Sequence, residues 1–375
     1  MSNVGLTASR IKQINRQAVL RFIIEHKTTS RQEIAAGLKL SMPTVLDNVN
    51  ELVQMGFVTQ NGRFQSTGGR KADMLCIVPH ARLALGVDIT KNHVGLVLVD
   101  LCGTILAHRR IGMPYQQEDG YYRHLGDLVR DFLQVFPVTQ EQLLGTGISF
   151  PGILNREGTQ IVDSHVLGIR NIACEPLFQQ LPRPCEIMND ANAAGFGEQT
   201  RSTERSSFVY LSLSNSVGGA IFIDRKLYHG MNQQSGEFGH MRVVAGGRSC
   251  YCGQQGCLDA YCNALQLEEL GNGSLEVFFQ RLHANDATCV ARWRDYLEWL
   301  SLFLINLRMA FDCDIILGGY VGAYLEPWLP QLRKQLAQHS PFQAKGDFLH
   351  VCHYRREASA FGVAMQVIQK MLLQV

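Results

Sequence analysis

His240, Cys250, Cys252 and Cys257 stand at the spacing H-x9-C-x-C-x4-C, one imidazole and three thiols in a single short stretch. Such donors suit a zinc ion, which takes four soft or borderline ligands in a tetrahedron. Gly253 and Gly256 permit the tight reversal that returns the third thiolate to the first two. Ordinary reduced core cysteines are the simpler reading, but this clustering between glycines argues for a metal. Cys262 is an alternative to His240 as fourth ligand, although no glycine turn delivers it. Four protein ligands leave no open position, so Zn2+ here is expected to be structural, not catalytic. The same clamp would fix Glu237 and Asp259, two acceptors suited to a polyhydroxylated ligand. A third candidate, Asn189-Asp190, stands where the strand Pro184 to Met188 hands over to a helix. A carboxylate there can accept a bond from a hydroxyl or act as a general base, or it can simply cap the helix.

These residues need a scaffold, and the hydrophobic pattern supplies one. From Arg82 the period is two: Leu83 to Ile89, Val94 to Val99 and Gly103 to Ala107 read as successive strands. A helix over Tyr121 to Phe136 follows, then the strand Gly145 to Phe150 ending in a glycine loop. A hairpin is expected over Ser207 to Leu213 and Val217 to Asp224. Further on come a helix over Arg292 to Phe311, the strand Asp314 to Leu317 with Gly318-Gly319, and a final amphipathic helix over Ala358 to Leu373. Strand–loop–helix alternation means an α/β body with ligands bound at loops after strand ends. No internal repeat is evident. The final helix is expected to pack on the first lobe of the body or on a partner subunit.

The first eighty residues read differently. Arg10 to Glu25 forms an amphipathic pattern with Ile11, Ile14, Val19, Phe22 and Ile23 on one face. Ser30 and Glu33 make a capping box opening Arg31 to Leu38. Ser41 caps the next helix, with Pro43 in its first turn, and that helix buries Val45, Leu46, Val49, Leu52 and Val53. Two short helices joined by a tight turn predict a helix-turn-helix. Gly56 to Thr59 begins a strand, Asn61-Gly62 supplies a hairpin turn, and Gln65 to Lys71 reads as a basic wing. Ser41, Thr44 and Asn48 are candidates for base edges or phosphates, and Arg63, Arg70 and Lys71 for phosphates or the minor groove.

Charge supports that division. The whole chain of 375 residues carries +2, but residues 1–75 carry +5 and the remainder −3. A basic end on a mildly acidic body points to nucleic acid at that end. The chain is long enough for two or three domains. No apolar leader precedes the eleven cysteines and no long apolar run follows, so a cytoplasmic protein with reduced thiols and no membrane insertion is expected.

Several motifs carry a family resemblance. Leu213, Val217, Gly218, Ala220, Ile221, Gly230, Gly236, Gly239 and His240 fall in register with the ROK signature (repressors, open reading frames and sugar kinases). Cys250 to Asp259 resembles that family's CxCGxxGCxE element, Asn189 to Ala194 its NDANAA element, and Glu237 to His240 its ExGH. With the N-terminal module ending in Ser66-Thr67-Gly68-Gly69-Arg70, the whole chain resembles ROK repressors of the NagC/Mlc type.

The resemblance implies a winged helix-turn-helix over 1–80 and a two-lobed, actin-like ATPase (ribonuclease H-like) body. Lobe 1 is expected over 81–185, with the terminal helix at about 356–375, and lobe 2 with the zinc site over 186–355. It implies sugar contacts from Asn189, Asp190, Glu237 and His240, the last doubling as zinc ligand. Asp259, counted with the sugar-binding residues, stands where the family usually has Glu; the shorter acid is expected to reach the sugar through water or to change which sugar fits.

ROK kinases carry a DxGGTK loop after the first strand; here Asp88-Ile89-Thr90-Lys91-Asn92-His93 has no glycine pair. In the second phosphate loop, Leu213 to Ala220, Ser216 replaces a glycine. Asp190 matches the kinase base, but without a nucleotide site it is read as retained for binding. The expectation is a homodimeric or homotetrameric regulator of carbohydrate genes. It would bind a double-stranded DNA operator and respond to a sugar or sugar phosphate. A sugar kinase fused to a DNA-binding module, and a repressor controlled by a protein partner, are the alternatives.

Overall fold

A computed structural model describes residues 7–63, 73–136, 138–201, 205–339 and 346–375. The N-terminal module holds the helices Ala8–His26, Arg31–Leu38 and Met42–Gln54. Both expected caps are in place. Ser30 Oγ accepts from Glu33 N (3.2 Å), while Glu33 Oε2 accepts from Ser30 N (2.7 Å). Ser41 Oγ accepts from Thr44 N at 3.3 Å. Lys39 adopts a left-handed conformation after the second helix, which makes the tight turn to the third. A three-stranded antiparallel sheet, in the order Thr28–Thr29, Asp73–Ile77, Val58–Arg63, completes the module.

Three expectations for this module are corrected. The strand Val58–Arg63 runs through Asn61-Gly62 and pairs Arg63 with Asp73, so the hairpin does not turn at Asn61-Gly62. Leu46 is 44% exposed, because the helix Met42–Gln54 turns only Val45, Val49 and Leu52, with Asn48, fully inward. Ile11 and Ile14 are likewise exposed; of the expected face the first helix fully buries Val19 and Ile23, with Leu20 added.

The body is built on two five-stranded sheets of one plan. In the first, Leu83–Ile89 lies centrally, with the antiparallel strands His93–Asp100 and Ile105–Gly112 on one side. The parallel strands Leu143–Phe150 and Cys185–Asn189 lie on the other. In the second, Phe208–Leu213 lies centrally, with Val217–Ile223 and Lys226–Leu227 on one side and the parallel strands Asp314–Gly318 and Leu349–Val351 on the other. Each sheet thus has its chain-order strands arranged 3-2-1-4-5. A small antiparallel sheet of Ile153–Leu154, Gln160–Ser164 and Ile169–Ala173 is inserted after the first sheet's fourth strand.

The terminal helix Ala358–Leu372 packs on the first sheet and on the helix Asp190–Arg201. The approach is close enough to require glycine: a Cβ on Gly86 would stand 1.9 Å from the Ala360 carbonyl, and one on Gly362 1.7 Å from the Ala193 carbonyl. At its far end the same helix meets the N-terminal module. Phe361, Val367, Ile368 and Leu372 share one apolar core with Val19, Leu20 and Ile23. Gln17 Nε2 donates to the Leu373 carbonyl (2.6 Å) and Arg16 Nε to the Val375 carbonyl (2.6 Å). Among the described residues no helix is long and apolar enough to cross a membrane.

Candidate functional site

Asn189 ends the last strand of the first sheet, and its side chain makes the turn into the next helix. Its Oδ1 accepts from Ala191 N (3.0 Å) and Asn192 N (3.1 Å), and its Nδ2 donates to the Gly152 carbonyl (3.2 Å). The cap is therefore chiefly Asn189. Asp190 Oδ1 accepts from Ala191 N at 2.9 Å, and Asp190 borders the cleft between the two sheets. Burial, then the nearby Asp88 and Glu237 carboxylates, push Asp190 up to about 7. Asp88 accepts from Ser149 Oγ (2.6 Å), yet burial still raises it to about 6.

Across the cleft Gly236, at φ +85°, turns the chain into the short helical turn Phe238–His240. Phe238 anchors that turn in the core beneath Gly219, where a Cβ would stand 2.2 Å from the ring. Glu237 and His240 then face the same small pocket, about 60 Å³, as Asn189 and Asp190. Burial raises the Glu237 carboxyl, with Asp163 adding repulsion. The two pairs, nearly fifty residues apart in sequence, form one polar wall suited to hydroxyl groups.

Three further residues line this pocket that sequence reasoning passed over: Asp163, His165 and Tyr251. Asp163 Oδ2 lies 3.1 Å from His165 Nε2, and the His165 ring meets His240 edge-on at 6.0 Å between centroids. Tyr251 packs against the His240 ring at 5.5 Å. Its place between Cys250 and Cys252 was a usable signal; Asp163 sits in the inserted sheet and His165 in the turn after that strand, and no spacing rule ties them to Asp190.

Asp259 is a correction. It is only 1% exposed and does not line the pocket. Its Oδ2 accepts from Val217 N (2.6 Å) and its Oδ1 from Asn263 Nδ2 (3.0 Å), so both oxygens are used internally. Asp259 ties the Ser214–Ser216 loop to the cysteine clamp.

His240, Cys250, Cys252 and Cys257 bring four ligand atoms within 4.8 Å of one another, a group able to hold a metal ion. Gly256, at φ +80°, passes so close to the Val244 carbonyl that a Cβ would stand 1.7 Å away, which is how the third thiol is returned. Burial raises the Cys250 and Cys257 thiols and lowers His240. A neutral imidazole and thiols that need a cation to ionise suit a divalent metal. Cys262 turns away, its Sγ 3.9 Å from the Tyr296 carbonyl in the core.

A larger cavity, about 760 Å³, is lined among others by Thr90, Asn215, Gly319 and Tyr320. Gly319, at φ +76°, closes a strand-to-helix turn in which a Cβ would stand 2.6 Å from Leu213 N. Its conformation is thus set by packing, even though it borders the cavity.

In the N-terminal module Ser41 is exposed and Thr44 half-buried, but Asn48 is 2% exposed and its Nδ2 donates to the Thr44 carbonyl (2.7 Å). Asn48 is therefore folded inward and does not belong to the DNA-facing set. The solvent face of that helix carries Met42, Pro43, Leu46, Asp47 and Asn50 instead. The Arg63 side chain, Arg70 and Lys71 lie outside the described residues.

Comparison with known proteins agrees with this architecture. The ROK family matches residues 84–370, and a winged helix-turn-helix DNA-binding family matches residues 12–59. The xylose repressor of Bacillus spizizenii is 27% identical over 315 residues, spanning 82% of either chain. The DNA-binding transcriptional dual regulator NagC of Escherichia coli is 23% identical over 282 residues, 74% of this chain and 70% of its own. A ROK family transcriptional regulator solved as a homologue of the E. coli Mlc protein superposes with a TM-score of 0.78 at 19% identity, covering 97% of this chain and 98% of its own. A ROK family glucokinase from Streptomyces griseus, solved with glucose and AMPPNP, superposes at 0.66 with 24% identity, covering 76% of this chain and 99% of its own. The chain belongs to the ROK family and carries a winged helix-turn-helix at its N-terminal end.

Proposed function

We propose that this chain is a sugar-responsive transcriptional repressor of carbohydrate genes, binding operator DNA as a homodimer or homotetramer. The observation that carries the reading is the placement of the helix Ala358–Leu372. Its first turn borders the cleft, where Ser359 Oγ donates to the Asp190 carbonyl (3.1 Å). Just past its end, the carbonyls of Leu373 and Val375 hold the first helix of the DNA-binding module through Gln17 and Arg16. A ligand that prefers one arrangement of the two lobes therefore acts on the element to which the DNA-binding helices are docked. Such a ligand shifts the population away from the DNA-competent geometry by its difference in affinity for the two states.

In this reading Asn189, Asp190, Glu237 and His240 receive the sugar hydroxyls, with His165 and Tyr251 closing the pocket. Zn2+ is the ion for His240, Cys250, Cys252 and Cys257, given three thiolate donors and one imidazole. When bound it supplies a rigid clamp and no chemistry. Ser41 and Thr44, with Leu46 and Asn50 on the solvent face, read the DNA, while Arg63, Arg70 and Lys71 meet phosphates.

We assign no phosphoryl transfer. The Thr90–His93 turn is closed by side-chain bonds, Thr90 Oγ1 donating to the His93 carbonyl (2.9 Å) and accepting from His93 N (3.1 Å). No glycine pair exposes backbone N–H groups to a phosphate there. The test is calorimetry of the full chain with xylose, glucose, N-acetylglucosamine and ATP·Mg²⁺. A sugar that binds without being phosphorylated in the presence of ATP supports the reading. Turnover of ATP with any of these sugars overturns it.

A further inference from the structure

We propose that the body binds a neutral disaccharide or longer oligosaccharide, with one ring in the pocket at Asp190 and the next in a separate groove beyond Asn189. The inference rests on the sugar-pocket reading for the first ring. That pocket is about 60 Å³, so a second ring must lie outside it. The groove has about 450 Å³, within the range of roughly 300–1,000 Å³ usual for small-molecule sites. The two adjoin along one hairpin: Gly152 and Ile153 line the pocket, Leu154 to Thr159 line the groove, and Asn189 borders both.

The lining of the groove suits hydroxyl groups. Asn192, Gln233 and Gln366 bring amides that make no side-chain bond among the described residues. An amide offers both donors and an acceptor, the complement of a hydroxyl, which does both. Glu186 Oε1 is paired with Lys370 Nζ (2.8 Å), while its Oε2 is buried without a partner among the described residues. That oxygen needs a donor, and a sugar hydroxyl is one. The charged residues cancel, Arg156 and Lys370 against Glu157 and Glu186, which favours an uncharged ligand. Leu154 and Phe178 add apolar surface for the C–H face of a ring. The hairpin wall is preformed, because Asn155 Oδ1 accepts from Thr159 N (2.8 Å) and Gln160 N (3.0 Å) across the turn.

A ring in this groove would also touch the parts that move. His229 and Gln233 come from the loop after Lys226–Leu227 in the second sheet, while Glu186 and Ile187 belong to the first. Gln366 and Lys370 lie on the helix Ala358–Leu372, the element docked on the DNA-binding module. The second ring therefore adds contacts to that helix which a monosaccharide lacks.

Calorimetric titration of the full chain tests this with xylose, glucose and N-acetylglucosamine and with xylobiose, cellobiose and diacetylchitobiose. Each is run on the wild type, on Q233A/Q366A and on E237Q. One disaccharide is expected to bind roughly tenfold tighter than its own monosaccharide, given two or three hydroxyl bonds in the groove. Q233A/Q366A should remove that advantage and leave monosaccharide affinity and melting temperature unchanged, while E237Q weakens both ligands alike. Disaccharide affinity that survives E237Q but is abolished in Q233A/Q366A upholds the groove as a glycan site in its own right. In that case it is the pocket at Asp190 that fails. Disaccharides bound no tighter than their monosaccharides, or an advantage that persists in Q233A/Q366A, overturn the proposal. So do an equal loss of both ligands in Q233A/Q366A and the absence of binding by any of these sugars.

Discussion

The Ser359 hydroxyl donates to the backbone carbonyl of Asp190 at 3.1 Å, joining the acid at the cleft to the first turn of the terminal helix. The residues just past the end of that helix, Leu373 and Val375, are held through their carbonyls by Gln17 and Arg16 of the DNA-binding module. Cleft and DNA-binding helices thus share one rigid element, anchored to the first sheet where Gly86 admits the Ala360 backbone.

Loosening the far end of this element is expected to separate sensing from DNA release. Arg16→Ala with Gln17→Ala removes the side-chain bonds to the carbonyls of Leu373 and Val375. Effector affinity measured by calorimetry should stay within about twofold, because the cleft is untouched. The effector-induced change in operator affinity should fall at least tenfold, about 1.4 kcal/mol of coupling. Unchanged coupling would mean that the signal does not pass through this contact.

Asp190 makes stability depend on pH. Its folded value of about 7 lies well above the usual carboxylate range, so between roughly pH 4 and 7 the folded chain holds a proton that the unfolded chain has lost. The stabilisation is therefore present below about pH 4 and lost as pH rises through 7. Asp190→Asn keeps an acceptor for Ala191 N but cannot ionise. Its unfolding free energy should fall less between pH 5 and pH 8 than that of the wild type, by about 1–2 kcal/mol, in urea titrations at the two pH values. A parallel loss in both proteins would show that Asp190 titrates normally.

The cysteine clamp gives a metal prediction. Wild-type protein should carry about one zinc per chain by elemental analysis, and Cys250→Ser with Cys252→Ser should carry none. The melting temperature should drop by roughly 10 °C, because losing an ion bound only by the folded state removes several kcal/mol. Ligand affinity should fall too, since His240 belongs to both the clamp and the pocket. A metal-free wild type would contradict the assignment.

Reading and anchoring of DNA should separate by salt dependence. Asn50→Ala or Leu46→Ala on the exposed helix face should cost about 1–3 kcal/mol on the preferred duplex and leave the salt slope unchanged. Arg70→Ala with Lys71→Ala should weaken all sequences and flatten the slope by about 0.9 for each phosphate no longer neutralised. Binding isotherms at several salt concentrations distinguish the two, and an unaltered slope would remove the wing from the interface.

Local signals were the most legible part of this fold. Ser30 with Glu33, and Ser41 with Pro43, specify helix starts through bonds spanning three residues, and both helices begin there. The cysteine spacing converges for the same reason: its glycine turns are local. The repeated 3-2-1-4-5 order of the two sheets left no trace in the sequence, because topology can be reused without reusing side chains. Exposure depended on tertiary partners. Leu46 reads as core by period, yet the neighbours that would cover it are on the other side of the helix, while Asn48 is turned inward, its Nδ2 donating to the Thr44 carbonyl. Asp259, the shorter acid where the family usually has Glu, is drawn inward by Val217 N and Asn263, a pairing no spacing rule contains.

Effector-driven release from DNA is tested most directly by fluorescence anisotropy on a labelled duplex that the full chain has itself selected from a random pool. Xylose, glucose, N-acetylglucosamine and their terminal phosphate esters are added in turn. One of them is predicted to raise the dissociation constant at least tenfold, and to lose that effect on Glu237→Ala while the affinity of the free protein for DNA stays the same. A sugar or ester that binds the cleft by calorimetry yet leaves operator affinity unchanged would contradict the account.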